Sequence, residues 1–372
     1  FLYGYDLNKG QNKMKTFAFF LPQFHEIPEN NEWWGEEFTE WTNVKKAKPL
    51  FHGHKQPIHP LNGNYYDLTL RDTVLWQTEL MHKYGIDGLC YYHYYFDGKL
   101  LLEKPAENLL ADKSIDQPFF FCWANHTWRR SWNGQSTVLI QQTYGTRESW
   151  ERHFQYLLPF FKDDRYEKKD NKPLFMLFAP SFKEKNEMMA YFNNRCIQEG
   201  FDGIAVIESF ESVRYEHLDD AMNNPCPQTS YFFLREPGIG KDIFDRRYRF
   251  FLLFDRARSF AKKRFNIGRY VRTYSGDKLL NASLSYVCPP CTIPVLRGLS
   301  FEWDNTARHQ YRGYIINPIS HKTFLHFMEA NKNQEYLFIN AWNEWCEGMI
   351  LEPTEENGFK YLEWIKEWKD KS

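Results

Sequence analysis

Tyr336-Leu-Phe-Ile-Asn-Ala-Trp-Asn-Glu-Trp-Cys-Glu-Gly348 opens as a short apolar and aromatic run, which reads as a buried strand. Where that strand ends, two carboxylates begin. Glu344 and Glu347 stand three residues apart beside Trp342, Trp345 and Gly348, and a helical turn after Asn343 would put both on one face. Such a pair suits a glycosidic bond: one group protonates the departing oxygen while the other supplies negative charge or takes a proton on the ring side. Like charges resist ionising together, and flanking tryptophans add desolvation, so the two proton affinities separate. The plain alternative is two solvated glutamates on a loop.

Strands of the same make recur along the chain. Apolar runs ending in polar or aromatic clusters fall at Thr16–Leu21, Gly88–Tyr92, Phe119–Trp123, Leu174–Phe178, Gly203–Ile207, Ser230–Leu234 and Leu299–Trp303, with Tyr336–Ala341 as the eighth. Helical periodicity fits Asp72–Tyr84, Trp150–Phe161 and Asn186–Glu199 between them. This alternation predicts an α/β chain folded as a (β/α)8 TIM barrel, whose reactive groups sit at the C-terminal strand ends. Polar clusters occupy those positions: Pro22-Gln-Phe-His25, His93-Tyr94, Asn125-His126-Thr-Trp128, Glu208, Asp304-Asn305 and Asn343-Glu344. Residues 1–14 read as an N-terminal extension and 15–372 as one barrel domain with long βα-loop insertions. Pro22–Tyr66 is one such insertion, rich in His, Pro, Trp and Gly, and reads as a functional loop. Another spans about 235–278 and holds 13 Lys or Arg against 5 Asp or Glu. Within it Arg246–Phe265 reads as a helix with Tyr248, Phe251, Leu252 and Phe260 on its apolar side. Peripheral contact with a membrane surface or an anionic glycan is one reading, and a helix packed on the barrel with a solvated basic face is the other.

A length of 372 residues accommodates one barrel with insertions. A formal net charge of -1 removes any global argument for nucleic acid as a partner. Aromatic residues reach 19% and include 13 Trp, a surplus that serves both core packing and the stacking of sugar faces. No apolar run is long enough for a spanning helix, and Phe1-Leu-Tyr-Gly-Tyr-Asp6 lacks the order of a secretory signal. The seven cysteines are odd in number and mostly sit in apolar runs, as reduced thiols of a cytoplasmic protein would. Cys288-Pro-Pro-Cys291 lacks the second pair of a metal site and the context of a redox motif. No cofactor and no catalytic metal are expected.

Ordered blocks then carry a resemblance. Phe20-Leu-Pro-Gln-Phe-His25, Trp34-Gly35, Phe38-Thr-Glu-Trp-Thr-Asn43, Gln56-Pro57, Tyr65-Tyr-Asp-Leu68, Trp303-Asp-Asn-Thr306 with Arg308, and Asn343-Glu-Trp-Cys-Glu-Gly348 resemble the WbsX-like family, which is related to the endo-α-mannosidases of glycoside hydrolase family 99. The likeness runs from about Lys15 to Lys366 and implies a (β/α)8 barrel acting on an oligosaccharide or polysaccharide. It implies retention through a 1,2-anhydro sugar, with Glu344 taking the proton of the sugar 2-hydroxyl and Glu347 protonating the leaving oxygen and later activating water. An axial 2-hydroxyl, as in mannose, suits that route. Two features depart from the mannosidases: Cys346 stands where they commonly carry His, and the Leu-Pro-Gln-Phe-His block belongs to the WbsX-like branch. Members of that branch are found with polysaccharide biosynthesis and are labelled glycosyltransferases.

The remaining candidates for holding the glycan come from the strand ends. Trp41, Trp123, Trp303 and Trp342, with Trp128, are stacking rings or core indoles. His25, His93 and His126 would orient hydroxyls or tune the carboxylates, or be satisfied structural histidines. Glu40, Glu208, Asp304 and Arg308 would bond hydroxyls or each other, an Asp304–Arg308 pair being the structural alternative. Tyr94, Asn125 and Asn343 complete the set. The preferred reading is a retaining glycoside hydrolase on an α-linked mannose-like unit. Its rivals are a glycosyltransferase or transglycosylase of surface polysaccharide assembly and a non-catalytic glycan-binding barrel. Against a nucleotide-sugar enzyme, Gly238-Ile-Gly240 lacks the further glycine of a phosphate loop. Oligomeric state is open.

Overall fold

The computed structural model describes residues 14–371 apart from 133–134, 214 and 266–269. Of the expected N-terminal extension, residues 1–13 lie outside the described residues. Eight parallel strands close on themselves: β1 Lys15–Phe20, β2 Gly88–Phe96, β3 Phe119–Trp123, β4 Lys172–Leu177, β5 Ala205–Phe210, β6 Thr229–Leu234, β7 Val295–Ser300 and β8 Tyr336–Asn340. Phe17 of β1 pairs with Gly88 of β2 on one side and with Phe338 of β8 on the other, which shuts the ring. Helices cover the outside, among them Arg71–Tyr84, Arg147–Phe161, Lys185–Gln198, His321–Asn331 and Lys360–Lys371. The chain is a (β/α)8 barrel, as its alternating pattern predicts.

Strands buried on both faces need near-continuous apolar sequence, and β1, β3 and β8 are buried at almost every position. Phenylalanine fills the interior. Phe17 meets Phe120 at 5.2 Å, Phe120 meets Phe338 at 5.7 Å, and Phe338 meets Phe233 at 5.0 Å between ring centroids. Much of the aromatic surplus is this plug. Phe19 stacks on Tyr92 at 5.4 Å, and above that layer the barrel opens.

The strand β7 starts away from its expected place. β7 starts at Val295, four residues before Leu299, because Arg297 and Gly298 interrupt its apolar pattern. Both have a physical reason: Arg297 donates to the carbonyls of Ser283 and Tyr286, and a Cβ on Gly298 would lie 2.9 Å from the Phe233 ring. Trp303, expected inside the strand, instead pairs antiparallel with Ile316 in a small separate sheet.

The Pro22–Tyr66 connection carries helices Pro28–Trp34 and Glu40–Lys46 and folds over the C-terminal end of the barrel. Trp41 donates to the Tyr66 carbonyl at 2.7 Å, and Tyr66 donates to Glu352 at 2.7 Å. The basic stretch forms two helices, Gly238–Arg247 and Arg249–Arg264, because Tyr248 leaves the helical region between them (φ -117°, ψ 49°). Tyr248 and Phe260, expected on the packed side, are exposed; the side chains of Phe251 and Leu252 lie outside the described residues. Among the described residues no helix is long and apolar enough to cross a membrane.

Candidate active site

After β8 the chain makes the two-residue strand Asn343–Glu344, a single 3-10 turn Trp345–Glu347, and a return strand Met349–Ile350 paired antiparallel with the first. Glu344 immediately precedes this turn and Glu347 closes it, so the tight reversal delivers both side chains to one cavity. Gly348 ends the turn in the left-handed region (φ +64°), and a Cβ there would lie 2.8 Å from the Asp304 amide. Asn343 pins the turn to the barrel: its Oδ1 accepts from the Leu21 amide at 2.7 Å and its Nδ2 donates to the Leu21 carbonyl at 3.0 Å. Below it, Glu352 accepts from Tyr66, Gln77 and Trp345 at 2.7, 2.7 and 2.8 Å. Burial pushes that carboxyl up to about 7.

Both catalytic candidates line a cavity of about 360 Å³ at the C-terminal mouth of the barrel. Every barrel strand gives it a residue from its C-terminal part or just beyond: Leu21, Tyr92 and Tyr94, Ala124, Phe178, Glu211, Arg235, Trp303, and Asn340 with Glu344. Trp303 and Tyr314 form an aromatic wall, nearly parallel at 12° and 5.4 Å apart. On the same cavity lining, the Arg235 guanidinium lies 3.7 Å over the Phe178 ring and donates to Glu211 at 2.9 Å and Ser209 at 3.0 Å.

The two acids differ in what faces them. Arg308 donates to Glu347 at 3.1 Å and to the buried Glu40 at 2.8 Å, while the Glu347 side chain stays 20% exposed. Burial raises Glu347, with Arg308 opposing; burial raises Glu344 well above the usual carboxylate range, and the negative charge of Glu347 adds to it. A lone proton shared by the pair therefore rests on Glu344, and Glu347 carries the charge that Arg308 faces. This free-site order is the reverse of what the resemblance implies for a bound sugar.

The other expected site residues divide. Tyr94, His126, Trp303 and Arg308 line the cavity, as does Trp128. Glu40 stands one bond behind it through Arg308. Asp304 does not pair with Arg308; it accepts from His54 and Gln56, both at 2.9 Å, and from Thr306, fixing the loop that delivers Arg308. Asn343 and Asn125 are backbone clamps, Asn125 holding both the amide and the carbonyl of Ala179 at 2.8 Å. Six expected site residues are corrected. His93 faces outward, bonds His153 at 2.9 Å and is driven down to about 3 by burial. Trp123 donates to the Tyr95 carbonyl in the core, and Trp41 and Trp342 are core indoles. Glu208 is a buried partner of Lys185 and Thr229. His25 is also buried, its pKa lowered by burial, and does not reach the cavity.

Two of these misses, His93 and Glu208, share one cause, strand ends placed too early. With β2 ending at Phe96 rather than Tyr92, alternation turns Tyr92 and Tyr94 inward and His93 outward. With β5 ending at Phe210 rather than Ile207, the strand-end acid is Glu211, not Glu208. Arg235 directly follows β6, where the strand-end rule could have found it, and Gln23 sits inside a cluster already singled out. Tyr314 lies on a strand of the small sheet and has no signal of this kind. Among the described residues no group of three or more His, Cys, Asp or Glu is placed to hold a metal ion.

A family model described as Glycosyltransferase WbsX matches residues 16–365. The chain belongs to the WbsX family. Two curated relatives, both named uncharacterized protein WxcX, come from strains of Xanthomonas campestris pv. campestris; they are 32% and 31% identical over 93% of this chain. The WbsX chain spans about half of their length, 48% in each case. Among solved structures it is similar to a glycoside hydrolase-like protein, with a TM-score of 0.58 at 12% identity over 98% of this chain and 96% of that one. It is also similar to the GH99 endo-alpha-mannosidase from Bacteroides thetaiotaomicron in complex with BIS-TRIS-propane, with a TM-score of 0.56 at 12% identity over 96% of each chain. Those likenesses establish a shared fold, and the WbsX family is a glycan-active one.

Proposed function

We propose that this WbsX chain is a retaining glycoside hydrolase that cleaves an α-linked, mannose-like unit of a polysaccharide, with Glu344 and Glu347 as its acid and base pair. The observation that carries the reading is the placement of both carboxyls in one cavity reached by all eight strand ends. In the first step Glu344 takes the 2-hydroxyl proton, that oxygen bonds to the anomeric carbon, and the departing oxygen leaves with the proton of Glu347. In the second, Glu347 takes a proton from water, the water oxygen opens the 1,2-anhydro ring at the anomeric carbon, and Glu344 returns its proton to the 2-oxygen. This requires the proton to reside on Glu347 once sugar is bound. A hydroxyl donating to Glu344 stabilises its ionised form and moves the proton to its neighbour. Binding and proton transfer are thereby coupled.

Glycosyl transfer is the second reading, favoured by the description of the family. A nucleotide-sugar donor has less support: the helix beginning at Gly238 already has its amide at Gly240 bonded by the protein's own Glu236 at 2.9 Å, where a phosphate would otherwise sit. Product analysis on mannans and mannose-containing surface polysaccharides, with and without nucleotide sugars, tests the proposal. Release of reducing ends by water alone supports it, and turnover that occurs only with a nucleotide sugar would overturn it.

A further inference from the structure

Several apolar residues of the helix Arg249–Arg264 are turned to solvent. Phe250, Phe254 and Phe260 are 82%, 78% and 70% exposed, and Leu253 and Phe265 are exposed beside them. At about 100° per residue these positions fall in one sector of the helix, together with Ala257 and Ala261. The orientation is pinned from the other side. Asp255 is buried and accepts from Tyr270 at 2.6 Å and from Arg272 at 2.8 Å, which fastens that side to the strand Arg272–Ser275. The apolar sector therefore cannot roll inward without breaking a buried ion pair.

Charge surrounds the sector. Residues 246–265 hold eight Lys or Arg and a single acid, Asp255, in a chain whose net charge is only -1. Arg256, Arg258 and Arg264 are exposed, as is Arg247 just before the helix. Contiguous apolar surface of this size is uncommon on a soluble chain, and an apolar strip bordered by arginines is what binds at the boundary of lipid headgroups and acyl chains. A second copy of this chain fits poorly, since pairing two such faces would set their arginines against each other. We propose that this face seats the protein on an anionic lipid surface, phenylalanines at the acyl boundary and arginines on lipid phosphates. A groove of about 450 Å³ beside the helix is lined by Arg256, Phe260 and Tyr314, and Tyr314 also walls the catalytic cavity. Docking thus keeps the cavity close to the lipid.

Co-sedimentation of the 372-residue chain with phosphatidylcholine vesicles, with or without phosphatidylglycerol, at low and high salt, tests it. Binding should require phosphatidylglycerol and weaken with salt. Combined Phe250→Ser, Phe254→Ser and Phe260→Ser should lower it more than about ten-fold, while Arg256→Gln with Arg264→Gln should flatten its salt dependence. Unchanged thermal melting of both variants shows that they fold. No binding to phosphatidylglycerol vesicles, equal binding by the folded phenylalanine variant, or a dimer in sedimentation equilibrium that this variant dissolves would overturn the proposal.

Discussion

Replacing Glu352 with Gln isolates the electrostatic cost of building this site. Glu352 is buried beneath the catalytic turn, where three donors hold a carboxyl raised from 4.5 to about 7. A folded acid with a raised pKa binds its proton more tightly than the unfolded chain does. Stability is therefore greatest below the unfolded value, falls as pH rises from about 4.5 toward 7, and levels off above the folded value. For this single group the loss between about pH 5 and pH 8 comes to about 2 to 3 kcal/mol. Gln cannot titrate, so Glu352→Gln should gain on the parent by that amount across the interval, whatever its offset at pH 5. Glu236, Glu344 and Glu347 titrate in both proteins and cancel in the difference. Urea unfolding of both proteins at the two pH values measures it. If the two stabilities fell in parallel, Glu352 would not be held protonated and the reasoning about this pocket would fail.

Arg308→Met should raise the acid limb of the pH–rate profile by about 1 to 3 units, because Glu347 loses the cation that favours its charge. Its stability cost should be about 1 to 3 kcal/mol in denaturant titration, below that of a fully buried pair because the guanidinium is 34% exposed. Asn343→Ala leaves the buried Leu21 amide and carbonyl without their partner, so unfolding should show a loss of about 2 to 4 kcal/mol. Gly348→Ala forces a Cβ into the left-handed region against Asp304; it should cost at least about 1 to 2 kcal/mol and depress turnover, since Asp304 fixes the Arg308 loop.

The barrel was legible because its strands are buried on both sides and so read as apolar runs; β7, interrupted by Arg297 and Gly298, began earlier than expected, and β2 and β5 ran on past their expected ends. The pair at Glu344 and Glu347 was legible because its spacing and the preceding strand lie in one stretch of chain. The rest of the cavity was harder. Its walls come from eight strand ends, and an error of a few residues at an end exchanges an inward side chain for an outward one, as His93 for Tyr92 and Glu208 for Glu211 show. Arg308 was visible as a residue, yet its two partners, Glu40 and Glu347, lie 268 and 39 positions away. No local pattern encodes such a bridge. The exposure of the Arg249–Arg264 phenylalanines was likewise hidden, because periodicity marks an apolar face without saying what covers it.

The most direct test compares Glu347→Gln and Glu344→Gln with the parent on a mannan-type substrate and on an aryl glycoside with an activated leaving group. The account predicts that Glu347→Gln loses about 10² to 10⁴-fold on the natural linkage but keeps bond cleavage with the activated one, which needs no proton. Glu344→Gln should lose a comparable factor on both while still binding glycan. Undiminished turnover of the natural linkage by either variant would contradict the assignment of this pair as the catalytic acid and base.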